Sequence, residues 1–67
     1  GADAAIEIAS AHSGITQSDM LKKEAKLKII KGAYVYEVEF ETPEYEFEYL
    51  IDAKTGKILS AEKELND

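Results

Sequence analysis

From Tyr34 to Ile51 apolar and charged residues alternate with a period of two, the pattern of strands with one buried face. Tyr34, Tyr36, Val38 and Phe40 point one way, and Val35, Glu37, Glu39 and Glu41 the other. After Thr42-Pro43-Glu44 the pattern resumes, with Tyr45, Phe47, Tyr49 and Ile51 against Glu46, Glu48, Leu50 and Asp52. Asp52-Ala53-Lys54-Thr55-Gly56 supplies a turn: the aspartate can accept from its own backbone two residues on, and glycine takes a positive φ without steric cost. Ile58 then returns opposite Ile51, which predicts a fourth, shorter strand. Ser60 to Leu65 fits either its continuation or a helical turn.

The first third of the chain has a different period. Ala5, Ile6, Ile8, Ala9 and His12 spread over one face of a helix across residues 4–13, with Asp3 as its N-cap and Gly14 at the left-handed position after its end. Thr16 to Asp19 reads as a turn or one short helical turn. From Lys22 to Lys31, Ala25, Leu27 and Ile29 alternate with charged residues, and the Lys31-Gly32 pair that follows suits a hairpin. Lys, Glu, Ala and Leu also favour helix, but the alternation favours a strand. The expected fold is α+β: one N-terminal amphipathic helix on a three- to four-stranded antiparallel meander, forming a single domain over residues 1–67.

Parity restricts the registers, because a one-residue slip would turn every apolar row outward. A two-residue Lys31-Gly32 turn sets Leu27 opposite Tyr36. A Glu41-Thr42-Pro43-Glu44 connection sets Phe40 opposite Tyr45, Val38 opposite Phe47 and Tyr36 opposite Tyr49. On the face away from the helix, Glu37 is then expected opposite Glu48 and Glu39 opposite Glu46, with Lys26 neutralising Glu37 and Lys63 reaching Glu46. Such paired carboxylates make either a solvated face that resists edge-to-edge aggregation or a site for a cation or a basic partner. At the other end of that face Val35, Leu50 and Leu59 align with Ile30 nearby. They are expected to form an apolar strip for a protein partner, or one covered by the tail or by a neighbouring domain.

Composition narrows the functional classes. The 67 residues carry 14 acidic and 8 basic side chains, a net charge of −6. This charge argues against nucleic acid and anionic membrane surfaces as partners. No apolar run is long enough to span a bilayer. The absence of an initiator methionine and of a basic-then-apolar leader reads as an excised or processed piece, with Gly1-Ala2 as a cloning remnant. Without cysteine there is no thiol chemistry. His12, the single histidine, is expected to pack or to meet helix carbonyls, and Ser10 and Ser13 on the same helix make no nucleophile pair with it. No phosphate loop or EF-hand spacing is present. An enzyme is therefore not expected, nor a cofactor or dedicated metal site.

Three stretches together resemble a PepSY domain: the Ala-rich helix of residues 5–14, Val35-Tyr-Glu-Val-Glu-Phe40, and Tyr45-Glu-Phe-Glu-Tyr-Leu-Ile-Asp-Ala-Lys-Thr-Gly-Lys-Ile-Leu59. The segment from Lys22 to Lys31 departs from the family in being more basic. The resemblance implies a bacterial, extracytoplasmic domain, secreted or anchored in the cell envelope. Such domains occur in propeptides of thermolysin-like metalloproteases, where an inhibitory or chaperone-like role is proposed, and in lipoproteins singly or in tandem. It brings no catalytic residues. The family turn motif falls on Asp52, Ala53, Thr55 and Gly56, which physically read as turn chemistry. The expected function is a non-enzymatic protein-interaction module that regulates a peptidase; the alternatives are an envelope spacer domain and an acidic cation-binding module.

Overall fold

A computed structural model describes residues 1–67. Helix α1 (Ala2–Ser13) is followed by a single 3₁₀ turn (Gln17–Asp19) and four strands, β1 (Leu21–Ile30), β2 (Ala33–Glu41), β3 (Tyr45–Asp52) and β4 (Ile58–Leu65). The strands form one antiparallel sheet in the order β1-β2-β3-β4, with α1 on one face only. The expected α+β architecture is observed. β4 is as long as β3, so Ser60 to Leu65 is strand rather than a helical turn.

α1 begins two residues before the expected start, so Asp3 is not its cap. Gly1 is the N-cap, its carbonyl accepting from the Ala5 N–H at 3.1 Å, and Asp3 lies in the first turn, where its charge suits the helix dipole. Gly14 closes the helix at φ 77°, its N–H on the Ser10 carbonyl at 3.0 Å. Ala5, Ile6 and Ala9 face the sheet, and the two alanines let the helix backbone come close. Beneath them lie Met20, Val38, Phe40, Phe47, Tyr49 and Ile51. Phe40 stacks on Phe47 with centroids 4.8 Å apart. Gly56 serves both turn and core: it sits at φ 78°, and a Cβ there would lie 3.2 Å from Ile8 Cδ1.

β1 buries almost nothing, with Ala25 alone half-buried along its length. It is held by its ladder to β2 and by the Lys31-Gly32 turn, whose residues both take positive φ (51° and 80°), as a type I′ turn requires. The expected pairing of Leu27 with Tyr36 is observed.

The β2–β3 register differs from the expected one by two residues: Phe40 faces Phe47, Val38 faces Tyr49 and Tyr36 faces Ile51. The turn is tighter than a four-residue connection. Thr42 donates its N–H to the Tyr45 carbonyl at 2.9 Å and accepts the Tyr45 N–H on Oγ1 at 3.1 Å, leaving Pro43-Glu44 as the corner. A slip of two preserves every face while changing every cross-strand neighbour. The faces of Val38, Phe40, Phe47, Tyr49 and Ile51 are therefore as expected, whereas Leu27, Ile29 and Tyr34 on the same face stay exposed, Val35 on the other is buried, and the charge pairs differ.

Candidate functional site: the open face of the sheet

The face away from α1 carries the side chains that the register correction rearranges. Glu24 faces Glu39, Glu39 faces Glu48, and Glu48 faces Glu62, so one row of four glutamates crosses all four strands. A second row, Glu41-Glu46-Glu64, runs beside it. Glu37 stands not opposite Glu48 but opposite Leu50, and Glu39 opposite Glu48 rather than Glu46. The rows line a shallow trough of about 300 Å³ with Lys22 at its rim.

Compensating cations sit at one side only. Lys28 Nζ lies 2.8 Å from Glu37, Lys26 Nζ 3.1 Å from Glu24, and Lys22 Nζ 3.7 Å from Glu41. Lys26 is thus the register partner of Glu37 without being its ion-pair partner. Lys63 does not reach Glu46. It pairs with Phe47 on the helix side, and its ammonium lies 4.1 Å above the Tyr45 ring. All three pairs involve β1, so no lysine reaches Glu48 or Glu62.

The titration behaviour follows this asymmetry. The Lys28 hydrogen bond holds the Glu37 carboxyl below the usual glutamate range. Partial desolvation, then the charge of Glu37, raises that of Glu39. One oxygen from each of Glu37, Glu39 and Glu48 lies within 4.8 Å of the others, a cluster of hard oxygen donors of the kind that calcium accepts.

The apolar end of the same face differs from expectation. Val35 is only 2% exposed and is no part of an open strip. It sits between Lys28 and Asp52 across the strands, with Ile30 and Leu50 at the diagonal positions. Leu50 is half-buried, while Ile30 and Leu59 stay exposed. Leu59 is the extra residue of a bulge, since Leu50 pairs with Ser60 and Ile51 with Ile58. A single inserted residue has no hydrophobic signature, so alternation could not reveal it.

The turn motif is built from backbone bonds. Asp52 Oδ1 accepts from the Lys54 N–H at 2.8 Å and the Thr55 N–H at 2.9 Å, and these bonds, Thr55 first, hold its carboxyl below the usual range. The Ala53 N–H reaches across to the Tyr34 carbonyl at 3.0 Å. Gly56 adds the close approach to Ile8. Every residue of the motif is accounted for by the turn and its seat under the helix.

His12 is exposed, with Nδ1 2.9 Å from the Tyr49 hydroxyl and its ring edge-on to Tyr49. Burial raises the pKa of that phenol. The neighbouring Ser13 hydroxyl is engaged with the Ser10 carbonyl and the Ile15 N–H, so it cannot also present a free nucleophile to His12. The contact anchors the helix end to β3.

A single four-stranded sheet with a helix on one side and a carboxylate-lined bare face on the other defines a small α+β domain. Its family is specific: residues 1–62 match the model of the PepSY family, described as "Peptidase propeptide and YPEB domain", and the chain belongs to it. No curated protein and no solved structure matches the chain. No helix is long and apolar enough to cross a membrane.

Proposed function

We propose that this domain is a non-enzymatic module that acts outside the cytoplasm and restrains a peptidase, holding it through a basic segment laid on the bare glutamate face. Family membership supports the peptidase link. The observation that carries the choice of surface is the unbroken row Glu24-Glu39-Glu48-Glu62. Directly opposed like charges destabilise strand pairs by several tenths of a kcal/mol each. A face evolved only for solubility relieves that cost by interleaving lysines, as happens here beside β1 but not on β3 and β4. A partner carrying Lys or Arg supplies the missing charge on binding and turns the repulsion into association energy.

The test is inhibition of a thermolysin-like metalloprotease by the domain, measured with a fluorogenic peptide substrate. Wild type should inhibit, and Glu48→Lys with Glu62→Lys should abolish inhibition while the fold persists by circular dichroism. Equal inhibition by that variant would remove the acidic face from the account.

A second reading, a calcium-binding module, is favoured by the convergence of Glu37, Glu39 and Glu48. Calcium titration separates the two, because cation binding at this cluster raises the melting temperature without any partner, and no rise at millimolar calcium removes the reading. An envelope spacer docking through Ile30, Leu50 and Leu59 would be insensitive to both tests.

A further inference from the structure

The two edges of the sheet are opposite in charge. β1 and its turn carry Lys22, Lys23, Lys26, Lys28 and Lys31 against Glu24 alone, whereas β4 carries Glu62 and Glu64 against Lys63 alone. Both edges also leave apolar side chains in water on the helix side: Leu27 is 54% exposed, Ile29 66% and Leu65 74%.

The backbone is compatible with joining them. The Thr42 N–H points toward β3, so by the alternation of an antiparallel ladder the even residues of β2 turn to β3 and the odd ones to β1. The partners of those odd residues are Glu24, Lys26, Lys28 and Ile30, which leaves Ala25, Leu27 and Ile29 with N–H and C=O directed outward. On the far side the Asp52 N–H reaches the Lys57 carbonyl, so the even residues of β3 turn to β4. Their partners Ser60, Glu62 and Glu64 point inward, and Ala61, Lys63 and Leu65 point outward.

We infer that β1 of one copy of this domain pairs antiparallel with β4 of a second copy, extending the sheet from domain to domain. One register satisfies backbone, face and charge together. Leu27 takes Lys63, Ala25 takes Leu65 and Ile29 takes Ala61 as hydrogen-bonded pairs. Between them Lys28 meets Glu62 and Lys26 meets Glu64 in the closer, non-hydrogen-bonded pairs. A shift of two residues one way opposes Glu64 to Glu24, and a shift the other way opposes Glu62 to Ile30. Lys26 and Lys28 already touch Glu24 and Glu37 and would share their protons with the incoming strand, bringing positive charge to the end of the glutamate row that lacks it. Lysines on an edge ordinarily discourage pairing. Here they discourage β1 from pairing with another β1 and select the acidic edge instead. The β1 bulge lies between Leu21 and Glu24, outside the pairing segment.

A single strand pair falls short of the roughly 1,000 Å² that a durable interface between free proteins needs. Separate chains should therefore associate weakly, and two copies joined in one polypeptide far more strongly. Because the contact is head-to-tail, assembly does not close at two.

Sedimentation of the purified domain over a rising concentration series at low salt provides the test, with no peptidase present, so its outcome is independent of the reading above. Average mass should climb past that of a dimer. Glu62→Lys with Glu64→Lys should remain monomeric, although it is less negative than the −6 of the natural chain and general repulsion is weaker. Lys26→Glu with Lys28→Glu should also remain monomeric, and mixing the two folded variants should restore association, since each then offers the complement of the other's edge. A wild type that stays monomeric, a mass that stops at the dimer, or a mixture that fails to associate would each overturn the proposal.

Discussion

Replacing Glu39 by glutamine is the perturbation that weighs the glutamate row most directly. Glu39 is half-buried, directly opposed by Glu24 and Glu48, and gathered with Glu37 and Glu48 so that all three oxygens lie within 4.8 Å. Two unit charges at that separation repel by about 0.9 kcal/mol in a water-like dielectric. Physiological salt, with a Debye length of about 8 Å, reduces this to roughly 0.5 kcal/mol for each of the two neighbours. Lys28, bound to Glu37, takes back part of it. Glutamine should therefore stabilise the fold by about 0.5–1 kcal/mol, or about 3–6 °C in melting temperature for a domain of this size. The pH dependence has a defined sign. The pKa of Glu39 is raised in the folded state, so its charge opposes folding at neutral pH, and that cost vanishes once the pH lies below the unfolded value. The advantage of Glu39→Gln should be full near pH 7 and in low salt, and absent in acid. Thermal unfolding followed by circular dichroism at both pH values decides. A neutral-pH melting temperature equal to or below that of the wild type, or a gain that survives in acid, would refute the electrostatic reasoning.

Other consequences follow from single sites. Lys31→Asn creates the Asn-Gly pair preferred where both turn residues have positive φ, and should raise stability by about 0.5–1 kcal/mol in urea unfolding. Val35→Ala should cost about 1–2 kcal/mol, because the side chain is covered on a face that simple alternation would leave open; a change within error would mean that the cover is loose. Asp52→Ala should lower the melting temperature at neutral pH by removing the oxygen that accepts two backbone hydrogen bonds in the turn. Because folding depresses the Asp52 pKa, the difference from wild type should shrink as pH falls through that depressed value, and a pH-independent difference would sink the assignment.

How far the sequence reached depended on which quantity had a period. Burial on the helix side repeats every two residues, so Val38, Phe40, Phe47, Tyr49 and Ile51 could be placed without knowing any register. Positive-φ turns leave glycines, so Gly14, Gly32 and Gly56 marked their corners. The pairing of strands has no such signal. Whether Thr42 belongs to the loop or closes it depends on one backbone bond and one hydroxyl contact, and the choice moves every glutamate opposite a new neighbour. The four-strand row was invisible for that reason, and the burial of Val35 runs against the parity of its own strand. β1 was legible as a strand only through its alternation and the hairpin turn, since its composition suits a helix equally well.

The most direct test of the account is a titration of the isotopically labelled domain with a thermolysin-like metalloprotease whose catalytic glutamate has been replaced, so that nothing is cleaved, read as amide signal changes. The account predicts changes concentrated at Glu39, Glu46, Glu48, Glu62 and Glu64, with the far side of α1 unaffected. Changes confined to α1, or none at saturating protease, would contradict it.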